Sequence, residues 1–333
     1  MSSSNFRKRS SGGAKTDSSG DSIQVEGVDV GMVDNSKDRL HFYHELDTWQ
    51  QDNHYIRSGY VKQTNSFWKS IKSLSYLHNE TVNIYSHLLP STVILLSIWY
   101  YVNNILVIYD NYLGVWEKIN FFQFGMACTF CLFMSSSYHC LKNHSLPVQK
   151  FGHKMDYFGI VILITCSLIS IVLFAYYDEP FIRDALCLIF LVLGTICTIM
   201  TLHPKFATNT YRPIRSLVFI LFGLSGILPI VVGINKLGFD EVKRRVNITW
   251  LILEGFFYIF GAVMYAARFP ERLTHQDEDE QSLLNNPKPG KFDIFGHSHQ
   301  IFHCLVVVAA FCHWKALVGC YYYLHLVILP NMK

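Results

Sequence analysis

The sequence predicts an all-α membrane protein: a seven-transmembrane helix bundle with a cytosolic N-terminus and an extracytosolic C-terminus. Three observations carry this. Half of the 333 residues are hydrophobic and only 16% are charged, whereas soluble domains carry about a quarter charged residues. Seven apolar runs lie near 88–108, 121–141, 157–177, 185–202, 216–234, 248–267 and 299–320. Each suits ~30 Å of hydrocarbon, which takes about 20 helical residues. Finally, Lys and Arg are shared unequally between the two sets of loops. Lys142, Lys150, Lys154, Lys205, Arg212, Arg215, Arg268, Arg272, Lys288 and Lys291 share the side of the N-terminus, joined by Arg57, Lys62, Lys69 and Lys72. Lys118, Arg183, Lys236, Lys243, Arg244 and Arg245 lie opposite. The richer side is cytosolic, although the loop at 235–247 pulls the other way.

Taken in order, residues 1–40 have too few apolar side chains to offset chain entropy and are expected to be a disordered tail. Their first stretch is Ser, Gly and charge, without the apolar core of a signal peptide. Residues 41–87 mix Trp49, Tyr55, Phe67, Trp68 and Ile71 with Arg57, Lys62, Lys69 and Lys72. That is an amphipathic juxtamembrane segment with aromatic anchors and a basic face. The seven-helix domain occupies 88–325, and 326–333 form a C-terminal tail. Pro90 falls in the first turn of the first run, where proline is tolerated, and Pro229 is placed to bend the fifth. Glu254, inside the sixth run, should face the bundle rather than lipid, with no partner evident in sequence. Lys315 is expected to snorkel outward.

The net charge of +3 is small and does not point to nucleic acid. All nine cysteines fall in or beside apolar runs, which speaks against an extracellular disulfide framework and against a Cys-x-x-Cys zinc knuckle. The inverted topology, and the lack of Asp-Arg-Tyr after the third run and Asn-Pro-x-x-Tyr in the seventh, exclude a G-protein-coupled receptor.

The chemistry concentrates at one edge. His299 and His303, four apart at the start of the seventh run, share a helix face and suit two ligands of one metal ion. Loop parity brings His139, at the end of the second run, and Asp156, at the start of the third, to the same side. Three neutral imidazoles with an open fourth position form the ligand set of a catalytic zinc site, and His-rich ligation favours Zn2+ over magnesium or calcium. Asp156 can ligate, hydrogen-bond a metal-bound water or act as its general base. Ser135, one turn before His139, can help to hold water or substrate. The competing reading is an interhelical hydrogen-bond network without metal. His144, His153 and His297 are read as solvated loop residues, and His313 as a hydrogen-bonding residue deeper in the seventh helix.

Leu77-His78-Asn79-Glu80-Thr81-Val82-Asn83-Ile84-Tyr85-Ser86-His87 resembles the entry motif of the progestin and adipoQ receptor family, which includes adiponectin receptors and haemolysin III-like proteins. Ser135 to His139, Asp156 to Ile160 and Ser298 to His303 look like its other signatures. The chain looks most like the fungal zinc-homeostasis branch, which includes the receptor for the plant defence protein osmotin. The resemblance implies seven helices with a cytosolic N-terminus, zinc on His139, His299 and His303, and Asp156 and Ser135 near the metal-bound water. It also implies lipid-amide hydrolysis for some members, ceramide giving sphingoid base and free fatty acid. The acidic insert Asp277-Glu278-Asp279-Glu280 departs from the family's short loop.

Two functional expectations follow. One is an intramembrane zinc hydrolase of ceramidase type, with a membrane lipid as partner, acting in lipid and zinc homeostasis signalling. The other is a non-enzymatic receptor or regulator with structural zinc and an extracellular protein ligand. Zinc transport fits poorly, since only one layer of ligands is evident. Either form would be a multi-pass protein of the plasma membrane or endoplasmic reticulum.

Overall fold

The computed structural model describes residues 40–106, 114–204, 211–274 and 288–332. The expectations for the N-terminal tail and for the acidic insert at 277–280 lie outside these residues. All described elements are helical apart from one isolated bridge, His41 to Tyr60.

That bridge closes a short folded strap ahead of the membrane helices, with its own small core of Leu46, Ile56 and Tyr60. The strap leads into α1 (Phe67–Lys72), whose first turn is capped by the Ser66 hydroxyl accepting from the Lys69 N–H. Phe67, Trp68 and Ile71 are exposed beside exposed Lys69 and Lys72. An apolar face with flanking ammonium groups is what an interface-lying helix needs.

Seven helices among the described residues are long and apolar enough to cross a membrane. The first, α2 (Thr81–Tyr100), runs on through a π-helical turn, Tyr101–Ile105. It begins well before its apolar run because its first turns bury polar side chains, Asn83 and His87, inside the bundle. Pro90 therefore sits within the helix rather than in its first turn. Next come α3 (Val115–Leu141), α4 (Leu146–Ala175) and α5 (Pro180–Leu202). α4 starts ten residues before Asp156, so that carboxylate lies on its flank, nearly three turns in, and not at its start.

The fifth span is broken in two, α6 (Arg212–Leu224) and α7 (Ile227–Leu237), at Ser225-Gly226. Pro229 has no N–H for the carbonyl four residues earlier, that of Ser225, and its ring crowds it. The bend expected from Pro229 thus falls one turn upstream of it. The Pro229 carbonyl accepts from the Tyr176 hydroxyl at 2.5 Å.

The short α8 (Phe239–Arg245) follows, then α9 (Ile248–Ala267) and α10 (Ser298–Tyr323), which continues through a second π-helical turn to Asn331. Arg245 is buried and donates to both oxygens of Asp178, to Glu241 and to the Ala175 carbonyl. It fastens the edge far from the histidines. Asn247 enters α9 with φ +50°, and its amide lies so close over Gly319 of α10 that a Cβ there would overlap Nδ2.

The core is built on α3, α4 and α10. Phe121, Phe174 and Tyr321 meet at its centre in tilted and edge-to-face pairs, with ring centroids 5.3–5.9 Å apart. α3 and α4 approach closely at Gly159, where a Cβ would stand 2.9 Å from the Cys131 Cα. α9 is the least buried span, since its inner side faces a cavity instead of packed side chains. All nine cysteines are free.

Candidate metal centre

The final turn of α3 brings His139, and the first turns of α10 bring His299 and His303, to one point. One ligand nitrogen from each lies within 4.8 Å of the others, a group able to hold a metal ion. The ring centroids of His139 stand 4.9 Å from His299 and 4.7 Å from His303. His139 and His303 are buried and His299 is half-buried.

The surrounding hydrogen bonds decide which nitrogens are free. His139 Nδ1 meets Glu80 Oε2 at 2.7 Å, and His303 Nδ1 meets the Asn83 carbonyl at 3.1 Å. Carboxylate and carbonyl oxygens only accept, so both Nδ1 atoms carry hydrogen and both Nε2 lone pairs are available. His139 Nε2 is buried and has no hydrogen-bond partner among the described residues. A buried imidazole nitrogen without a partner is costly, and a metal ion at the shared point removes that cost. The donor set therefore fits a cation that favours nitrogen.

Glu80 is the group that reading the sequence missed. Its Oε1 takes Lys142 Nζ at 2.5 Å while Oε2 holds His139. Burial pushes its carboxyl up, but the Lys142 ammonium and His139 beside it hold it well below the usual carboxylate range. Asn83 Nδ2 adds a 2.6 Å bond to Oε2. A signal was present: the parity that joined the second, third and seventh runs also places the start of the first on that edge. His87, one turn beyond Asn83, stacks on His303 at 3.9 Å and 11° and donates from Nε2 to the His303 carbonyl at 3.2 Å.

Asp156 and Ser135 line the same cavity as the three histidines, and the Ser135 hydroxyl hydrogen-bonds the Asp156 carboxylate. Two of the histidines left to solvent are not free in it. His297 is buried, donates from Nε2 to the Asn79 carbonyl at 3.1 Å, and is pushed by that burial below the ordinary histidine range. His153 lines the cavity against Tyr157, ring centroids 4.3 Å apart. His144 is half-buried under Phe67 at 4.2 Å. His313 does hydrogen-bond, and it supplies Glu254 with the partner that sequence did not reveal.

The cavity encloses about 1450 Å³ and is mostly apolar. Besides the metal centre its walls include Ile160, Leu163, Ile259 and Phe302. The strap closes one end through Gln50, Ile56 and Tyr60. It is held there by Arg57 N–H and Ser58 Oγ on Asp293, and by Asn53 on Glu271, which itself caps the Ser298 N–H of α10.

Comparison with known proteins places these residues in a wider group. The model of the haemolysin-III related family matches residues 75–314. The chain is 42% identical over 292 residues to the ADIPOR-like receptor IZH2 of Saccharomyces cerevisiae, covering 86% of each. It is 34% identical over 275 residues to the adiponectin receptor protein of Drosophila melanogaster, covering 83% of this chain and 58% of that one. It is 35% identical over 198 residues to heptahelical transmembrane protein 4 of Arabidopsis thaliana, covering 59% of this chain and 47% of the plant protein.

Proposed function

The chain belongs to the haemolysin-III related family of seven-helix, receptor-like membrane proteins, and from that premise we propose that it is a zinc-dependent hydrolase of lipid amides of the ceramide kind. The observation that carries this is a three-histidine group able to hold a metal ion in the wall of a mostly apolar cavity that Ser135 and the serine-bonded Asp156 carboxylate also line. A structural metal needs no apolar cavity beside it and no carboxylate in that cavity's wall.

His139, His299 and His303 would hold the zinc, through Nε2 in His139 and His303. Bound zinc supplies a water acidic enough to ionise near neutral pH and polarises the amide carbonyl. Asp156 takes the proton as water adds to the carbonyl carbon, and returns it to the nitrogen as the C–N bond breaks. Ser135 keeps that carboxylate aimed. The apolar walls take the acyl chain and exclude bulk water, which strengthens each polar contact inside.

The test is Asp156→Asn assayed at saturating zinc. The amide keeps the packing and all three imidazoles but cannot accept the proton. Fatty acid release from ceramide should fall at least about a hundredfold with zinc content unchanged. Near wild-type turnover in the zinc-replete variant would falsify the mechanism.

A receptor with a structural metal is the second reading, favoured by one observation. The metal-centre contacts tie α2, α3 and α10 together through Glu80, Asn83, His87 and Lys142. Undetectable release by wild type across ceramides of several chain lengths would select it.

A further inference from the structure

The metal-centre reading leaves the deep acid Glu254 unused. Its Oε2 lies 2.8 Å from His313 Nδ1, and His313 Nε2 lies 3.2 Å from Ser170 Oγ. The Ser170 proton is already given to the Ser167 carbonyl at 2.8 Å. Its oxygen can therefore only accept from His313, so Nε2 carries a hydrogen. Two lone pairs cannot face each other across the Nδ1–Oε2 contact, so one more proton lies on that line. Whichever atom owns it, the pair is neutral overall, which is how an acid is tolerated inside a span.

The rest of Glu254 faces the cavity. Its Oε1 makes no hydrogen bond with any described residue, and neither does the hydroxyl of Tyr258, one turn further along the same face of α9. Both residues line the cavity. An acceptor and a donor side by side in an apolar wall suit one ligand group above others, an alcohol, which gives one hydrogen and takes another.

The distance to the metal centre fixes where that alcohol must lie. His303 and His313 are ten residues apart on α10, about 15 Å at ~1.5 Å per residue. An extended alkyl chain advances ~1.3 Å per carbon, from ~1.5 Å bonds at tetrahedral angles. The two polar stations are thus roughly ten to twelve carbons apart.

We propose that Glu254 and Tyr258, with His313 behind them, form a second polar subsite of the cavity. It binds the hydroxyl of a long acyl chain that is hydroxylated about ten to twelve carbons from its carbonyl. The inference rests on the lipid-amide reading in one respect: the carbonyl end occupies the metal centre.

The experiment measures binding of three free acids to the purified, zinc-loaded full chain by displacement of a fluorescent fatty acid. The acids are 12-hydroxystearate, 2-hydroxystearate and plain stearate. We expect 12-hydroxystearate to bind about tenfold tighter than stearate, with no such gain for the 2-hydroxy isomer. Tyr258→Phe removes one oxygen that bonds to nothing in the protein. It should bring 12-hydroxystearate to within about twofold of stearate, while unchanged stearate affinity shows that the variant is folded. Equal gains for both hydroxy acids, no gain in wild type, or a preference that survives Tyr258→Phe overturns the subsite alone. Failure of all three acids to bind overturns the subsite and the lipid-amide reading together.

Discussion

Glu80 accepts the His139 Nδ1 hydrogen, and this leaves Nε2 free for a metal. It is joined by no short spacing to His139, His299 or His303, and it comes to His139 only when α2 packs along α3. The Glu80→Gln substitution keeps an acceptor oxygen but loses the charge that binds both His139 and Lys142. Partners behind a metal ligand typically contribute ~10–100-fold to affinity. We expect zinc affinity, measured against a chromophoric chelator, to fall by that order in Glu80→Gln, with the helical circular dichroism unchanged. An unchanged affinity would reduce Glu80 to a tether for Lys142.

Among the elements, the contact of α3 with α4 positions Asp156 opposite Ser135. It depends on Gly159, one turn after Asp156, because a side chain there meets Cys131 backbone rather than a flexible side-chain end. Gly159→Ala should force the helices apart at a cost of about 1–3 kcal/mol. A lowered thermal midpoint together with reduced zinc retention would show that strain; a midpoint equal to wild type would show that the bundle yields without loss. The spans themselves were legible, since seven long apolar runs have no other economical fold. So was the shared edge of His139, His299 and His303, because loop parity does not depend on exact boundaries. The start of α2 was not legible: Asn83 and His87 read as part of the juxtamembrane segment until their partners, the His303 ring and carbonyl and the His139–Glu80 pair, are in place. Glu254 showed no partner, and His313 no particular one, because they lie 59 residues apart on different helices and meet only where α9 packs on α10.

At the scale of the whole molecule, seven candidate spans among the described residues would put the first and last of them on opposite sides of a membrane. On the Lys and Arg count, we propose that the metal centre's edge faces the cytosol, along with α1 and its exposed Lys69 and Lys72. A reporter that functions only in the cytosol should be active when fused ahead of Met1 and silent when fused after Lys333. The reverse pattern would turn the bundle over without disturbing the site, because every contact within it is independent of which leaflet it faces.

The seat of Asn247 over Gly319 bears on how the chain matures. Asn247-Ile248-Thr249 has the Asn-X-Thr pattern of a glycan acceptor, and the nitrogen that would receive the sugar is the atom pressed against α10. A glycan at that nitrogen and a seated α10 exclude one another. Correctly assembled protein should therefore carry no sugar at Asn247, and glycosidase treatment should leave its gel mobility unchanged even with this loop in the lumen. Any glycosylated fraction would be chain modified before α10 docked, and it should run with aggregated rather than zinc-bearing material. The Asn247–Gly319 contact would then act as a checkpoint that the last helix either passes or is locked out of.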